Sequence, residues 1–128
     1  MLDRRTALKS GAAALALAAA PRAMAADAQL AALFDRFVQE NLDLSPLTAT
    51  SLGLDTGKRA HQRGEIDDAS LAGIARAKAL AAGQRQRLTR LDRSRLGGDD
   101  RLNYDIVLYG LATADEAGKA FSYGPASA

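Results

Sequence analysis

The sequence predicts an all-α fold: a four-helix N-terminal segment of a larger all-helical protein, preceded by a signal peptide. Three observations carry this. Apolar residues recur at helical spacing, as Leu30, Leu33, Phe34, Phe37 and Val38 in one stretch and Ile74, Ala81 and Leu88 in another. No stretch shows the alternation of apolar and polar residues that a half-buried strand needs. Cap-forming and helix-breaking residues fall between the periodic stretches, at Ser45-Pro46, Gly53, Asp67-Asp68 and Gly97-Gly98-Asp99-Asp100.

The first element is the signal, residues 1–25. Arg4 and Arg5 are adjacent, with Leu8 and Lys9 following, a pattern of the twin-arginine export type; the large apolar residue usual at the place of Ala7 is missing. Residues 11–20 are uncharged and built from Gly, Ala and Leu. Ten helical residues span about 15 Å, roughly half a bilayer core, so the run is too short for a stable membrane anchor. Ala23-Met24-Ala25 supplies the small-x-small pattern of a signal-peptidase site, with cleavage expected after Ala25. The expected partners are therefore the twin-arginine translocase and signal peptidase, and the expected location is the periplasm or the medium.

Removing the signal changes the charge argument. Of 17 basic and 15 acidic residues, four and one lie in residues 1–25, which leaves 13 against 14 and a net charge of −1. The alkaline character of the whole chain thus resides in the signal and gives no argument for nucleic acid or anionic lipid. The absence of cysteine excludes disulfides, thiolate metal sites and lipid attachment at the cleavage point.

Residues 26–128 read as four helices. The first covers about 28–42, with the Leu30–Val38 stripe on one face. Ser45 caps a short second helix, Pro46 suits its first turn, and Gly53 suits its stop. Residues 54–65 show no period and read as an exposed polar loop. Asp67 or Asp68 is the expected cap of a third helix reaching about Asp92, whose narrow seam is Ile74, Ala77, Ala81, Leu88 and Leu91; Gly83 weakens its middle. Asp99 or Asp100 is the expected cap of a fourth, on which Leu102, Ile106, Val107, Leu108 and Leu111 occupy more than one face. A helix apolar nearly all round belongs in an interior. Only 26 Val, Ile, Leu, Phe and Tyr residues follow position 25, with no Trp, a modest supply for covering it. A piece of a larger protein is the expectation.

The chemistry-bearing residues form no catalytic or metal-binding set. His61 is the single histidine and lies in the polar stretch, without a second ligand at helical spacing, so a solvated side chain is expected. The pairs Asp67-Asp68 and Asp99-Asp100 sit where helix N-termini need acceptors. Asp115-Glu116 reads as a solvated helix end. Seven basic residues fall between Arg76 and Arg95, with Asp92 the one acid among them. Arg85, Arg87, Arg90 and Arg93 spread around a helix at 100° per residue, which suits a solvated surface with cross-helix ion pairs rather than a nucleic-acid stripe. Tyr104 and Tyr109 are expected in the core. There is no G-x-S-x-G setting for a serine and no glycine-rich phosphate loop.

Two phrases carry a resemblance. Leu44-Ser45-Pro46-Leu47-Thr48-Ala49-Thr50-Ser51-Leu52-Gly53-Leu54, followed at a distance by Asp100-Arg101-Leu102-Asn103-Tyr104-Asp105, resembles the opening of the bacterial domain of unknown function 885 family, with its elements in the same order over residues 28–116. That family is large and all-helical, and it is similar to zinc metallopeptidases that carry His-Glu-x-x-His on a helix, where two histidines hold zinc and the glutamate activates water. This chain has no such motif, so the resemblance implies zinc for the parent's catalytic body, a missing partner of this segment. It assigns no catalytic, metal or cofactor residue here. The alternative expectation is a small exported helical adaptor that binds a partner through exposed apolar faces.

Overall fold

The computed structural model describes residues 4–121, with side chains from residue 23 onward. In chain order it has α1 (Arg4–Leu44), α2 (Pro46–Ser51), a 3₁₀ helix (Gly57–Gln62), α3 (Leu71–Leu88), a short 3₁₀ turn (Arg93–Arg95) and α4 (Gly98–Ala120). The fold is all-α, with no strand among the described residues.

Helix α1 starts at Arg4 instead of near residue 28. The intervening residues are mostly alanine and leucine, which have the highest helix propensity, and no cap or glycine pair separates the signal stretch from the amphipathic one. The side chains of Arg4, Arg5, Leu8 and Lys9 lie outside the described residues. Ala23 and Ala25 lie within α1, half-buried and exposed respectively. Among the described residues, no helix is long and apolar enough to cross a membrane.

The core joins α1, α3, α4 and the segment between the last two. Leu30 and Phe37 of α1 meet Leu88 of α3, Leu96 of the segment between α3 and α4, and Tyr104 of α4. Leu33, Phe34, Leu91, Val107, Leu108 and Leu111 pack around them half-buried. The α1 stripe is thus covered except at Val38, on its edge and exposed. Helices α3 and α4 run antiparallel as a hairpin: Arg85 pairs with Asp115, while Lys78, earlier in α3, reaches Gly118, later in α4. Lys78 Nζ donates to the Gly118 and Phe121 carbonyls at 2.9 and 2.8 Å, closing the C-terminal end of α4.

Local chemistry explains the element ends. Ser45 caps α2, its Oγ accepting from Thr48 N at 3.2 Å, with Pro46 in the first turn. Gly53, at φ +67°, then ends the helix. Leu54 N bonds Ala49 O at 2.8 Å and Gly53 N bonds Thr50 O at 3.0 Å, the paired 6→1 and 5→2 bonds of a Schellman motif.

The other caps correct the expectations. Ser70, not Asp67 or Asp68, caps α3, accepting from Gly73 N at 3.1 Å. Asp68 instead accepts from Ser70 N and pairs with Arg76. The tight turn leaves no room at Gly73, where a Cβ would run into the backbone oxygen of Asp68. Helix α3 stops at Leu88, and Asp92 begins a new 3₁₀ turn by accepting from Ser94 N at 3.0 Å. Gly97 occupies the cap position of α4, and Asp99 and Asp100 fall in its first turn, where a carboxylate still favours the positive end of the helix.

Candidate docking face

The polar stretch after α2 is the largest departure from expectation. An α-helix ends with carbonyls that have no partner within it. At the end of α1, Asn41 O accepts from Ser45 N, and Gln62 Nε2 reaches back to the Leu42 and Asp43 carbonyls at 2.9 and 3.3 Å. Arg59 donates to the Gln39 carbonyl at 3.1 Å and to Gln39 Oε1 at 2.9 Å, and pairs with Asp43 at 2.6 Å. Its positive charge sits at the negative end of the helix. Arg59 is 7% exposed and Gln62 2%, so these residues of the 3₁₀ helix close α1 and do not form a solvated loop. Residues i and i+3 of a 3₁₀ helix eclipse, which lets Arg59 and Gln62 point the same way.

Asp67 serves α2. Its Oδ1 accepts from Leu47 N at 3.0 Å and its Oδ2 from Ser45 Oγ at 2.8 Å, both more than fifteen residues back along the chain. Asp55 is buried and receives Arg63 Nε at 3.0 Å; that hydrogen bond holds its carboxyl below the usual range, against the opposing effect of burial.

The arginines of the α3 region likewise turn inward on this chain's own acids. Arg87 forms a bidentate pair with Glu40 of α1 at 2.6 Å for each bond, and its guanidinium lies 5.2 Å from the Phe37 ring centroid. The hydrogen bond from Arg87 lowers the Glu40 pKa, with burial opposing and Gln84 Nε2 assisting at 3.2 Å. Arg93 forms a second bidentate pair with Asp105 at 2.7 and 2.6 Å. Asp115 is not a solvated end: it receives Arg85 and Lys119, each at 2.7 Å, across and along the α3–α4 hairpin. The hydrogen bond from Lys119 is the main influence lowering its pKa.

Catalytic chemistry finds no footing among these groups. His61 is exposed, with Nδ1 3.0 Å from the Lys58 carbonyl, a distance that fits an Nδ1–H donor. No cluster of three His, Cys, Asp or Glu side chains capable of holding a metal occurs among the described residues. A groove of about 540 Å³ beside Gly83 is lined by Arg85, Gln86, Thr89 and Asp115, whose charges already pair with one another.

The remaining feature is apolar. Helix α4 has two stripes. Tyr104, Val107, Leu108 and Leu111 face the core. Leu102, Ile106 and Tyr109, at i, i+4 and i+7, lie on the opposite side and are 59%, 59% and 75% exposed. Residues two apart on a helix stand about 200° apart, so Leu102 must face outward if Tyr104 faces inward. Tyr109 therefore corrects the expectation that both tyrosines are core. No family model, curated protein or solved structure matches the chain.

Proposed function

We propose that this chain is the exported N-terminal helical part of a larger zinc-peptidase-like hydrolase, as the resemblance to the domain of unknown function 885 family suggests. Its own role is non-catalytic: it covers the catalytic body or shapes its cleft. The outer stripe of α4 carries the reading. A helix that presents Leu102, Ile106 and Tyr109 to solvent at helical spacing has the pattern of a surface meant for burial. Asn103 and Asp105, within the second phrase of the resemblance, lie on the same helix. Zinc, in this reading, belongs to a His-Glu-x-x-His helix of the parent, and no residue of this chain ligates it.

The adaptor is the second reading, and the polar pairing between elements favours it. Arg59 and Gln62 staple carbonyls at the C-terminal end of α1, and the bidentate pairs join separate elements. Such pairing across elements suits a module that folds by itself and offers an apolar face to a separate protein.

A photo-crosslinking amino acid at Tyr109, introduced into the complete gene and activated in intact cells, separates the two. The first reading expects crosslinks between peptides of one polypeptide. Crosslinks only to a different polypeptide reject it in favour of the adaptor. Export is tested separately: Arg4→Lys with Arg5→Lys should abolish transport, because the translocase reads the guanidinium pair. Normal appearance of the double variant in the periplasm would remove the twin-arginine assignment.

A further inference from the structure

At the expected cleavage point a half-buried Ala23 is followed by two exposed residues and then by one that packs on the core. Met24 is 72% exposed and Ala25 is exposed, whereas Ala26 packs against the core. One residue later, Asp27 Oδ1 accepts the Gly97 backbone N–H at 2.9 Å, from a position 70 residues away. Gly97 holds the cap position of α4 and has no side chain with which to cap it. Asp27 instead pairs the backbone N–H of the cap residue itself, from another helix. A Cβ at Gly97 would stand 3.1 Å from Asp27 Oδ2, a tight contact that Asp27 would have to relieve by a small shift.

We propose that Asp27 is the anchor of the processed N-terminus: it pins the first turn of mature α1 to the start of α4, so that signal peptidase unwinds and cuts the exposed turn before Ala26 without opening the fold. This rests on the export reading above. Peptidases bind their substrates extended, and Ala23–Ala25 are helical in the structure, so this turn must unwind to be cut. Upstream, Pro21 has no N–H to give to the helix, which weakens it there. Downstream, Ala26 and Asp27 are held. The twin-arginine route carries folded proteins, so the peptidase meets a body that is already packed.

In the cut, water adds across the Ala25–Ala26 peptide bond. Ala25 departs as a carboxylate, and Ala26 retains the nitrogen as a free amine, which takes a proton. A positive charge at a helix N-terminus is unfavourable, and the negative Asp27 side chain in the first turn offsets it. One carboxylate then serves two helix starts, α4 through Gly97 and the newly made start of α1.

The test uses the full chain, before and after digestion with purified signal peptidase, with hydrogen exchange read at the Gly97 amide. The expected product begins at Ala26, and Gly97 protection is unchanged within about twofold by the cut. Asp27→Ala leaves the cut position unchanged and speeds Gly97 exchange roughly tenfold or more, because a charge-assisted bond is lost. Asp27→Asn, which keeps an acceptor oxygen, falls between the two and serves where the alanine variant does not fold. Equal Gly97 protection in Asp27→Ala and wild type, or its loss when the wild type is cut, overturns the anchor. Cleavage elsewhere, or none, overturns the export reading instead, while Gly97 exchange in the uncut variants still decides the role of Asp27.

Discussion

The joint after α1 and the outer face of α4 treat their side chains in opposite ways. At the joint, residues that look solvated by composition are buried: Arg59 and Gln62 close the end of α1, and Asp67 turns back to the start of α2. On α4, residues that look like core by composition are wet: Leu102, Ile106 and Tyr109. The difference teaches that burial in this chain follows the need of backbone groups for partners more closely than side-chain hydropathy. An unpaired carbonyl at a helix end is costly wherever water is excluded, so a polar side chain is drawn in to meet it. An apolar side chain on a convex outer face has nothing comparable to pull it inward, and only a further surface can cover it.

The sharpest way to break this comparison is Gln62→Ala. It removes the Nε2 bonds to the Leu42 and Asp43 carbonyls and leaves the Leu42 acceptor buried. We expect a loss of about 1–3 kcal/mol in denaturant unfolding. A change near zero would show that water closes α1 equally well. Next comes Gly53→Ala, expected to cost about 1 kcal/mol, because alanine must adopt the left-handed φ of +67° that ends α2. Open space around that position means that strain alone, not a clash, is measured.

Glu40 gives the pH dependence. Arg87 holds its folded-state carboxyl below the ordinary 4.5, so the pair stabilises the fold above that pH and the contribution is lost as pH falls through the lowered value. Glu40→Gln should cost about 1 kcal/mol at pH 7, and the gap from wild type should close on acidification below about 4.5. An unchanged gap at pH 3 would assign the effect to packing. The smallest expected effect is Ile106→Asp in this chain, within about 0.5 kcal/mol, with less binding of apolar dye. In a parent that covers α4, the same substitution places a charge in an interior and should be severely destabilising. A large loss in this chain alone would show that the outer stripe is part of its own core.

Much of the architecture is legible in the residues themselves. The Leu30–Phe37 stripe, the Ile74–Ala81–Leu88 seam, Ser45-Pro46 and Gly53 all act at short range, where side-chain period, cap chemistry and glycine φ are settled by immediate neighbours. The arginine spread likewise points to cross-helix pairs, and Arg85, Arg87 and Arg93 make them. The roles of Arg59, Gln62 and Asp67, and the pairing of Asp115 with Arg85, were hidden because those partners lie far back along the chain, about twenty positions or more for most of them. A signal for the first two was nonetheless present: a helix end at Leu44 requires donors, and the polar residues that follow are the nearest supply.

Local chemistry in the sequence therefore determined that the chain is helical, where α2 starts and stops and which residues give each helix its apolar stripe, because those properties depend on residues within one or two turns of each other. Only the tertiary structure decided which apolar stripe of α4 is covered, since Tyr104 and Ile106 are equally fit for a core and stand on opposite sides of one helix. It also decided which carboxylate caps which helix, because hydrogen bonds are satisfied by proximity in space. Asp27, 70 positions from Gly97, shows why: their encounter exists only after α1 and the start of α4 have packed together.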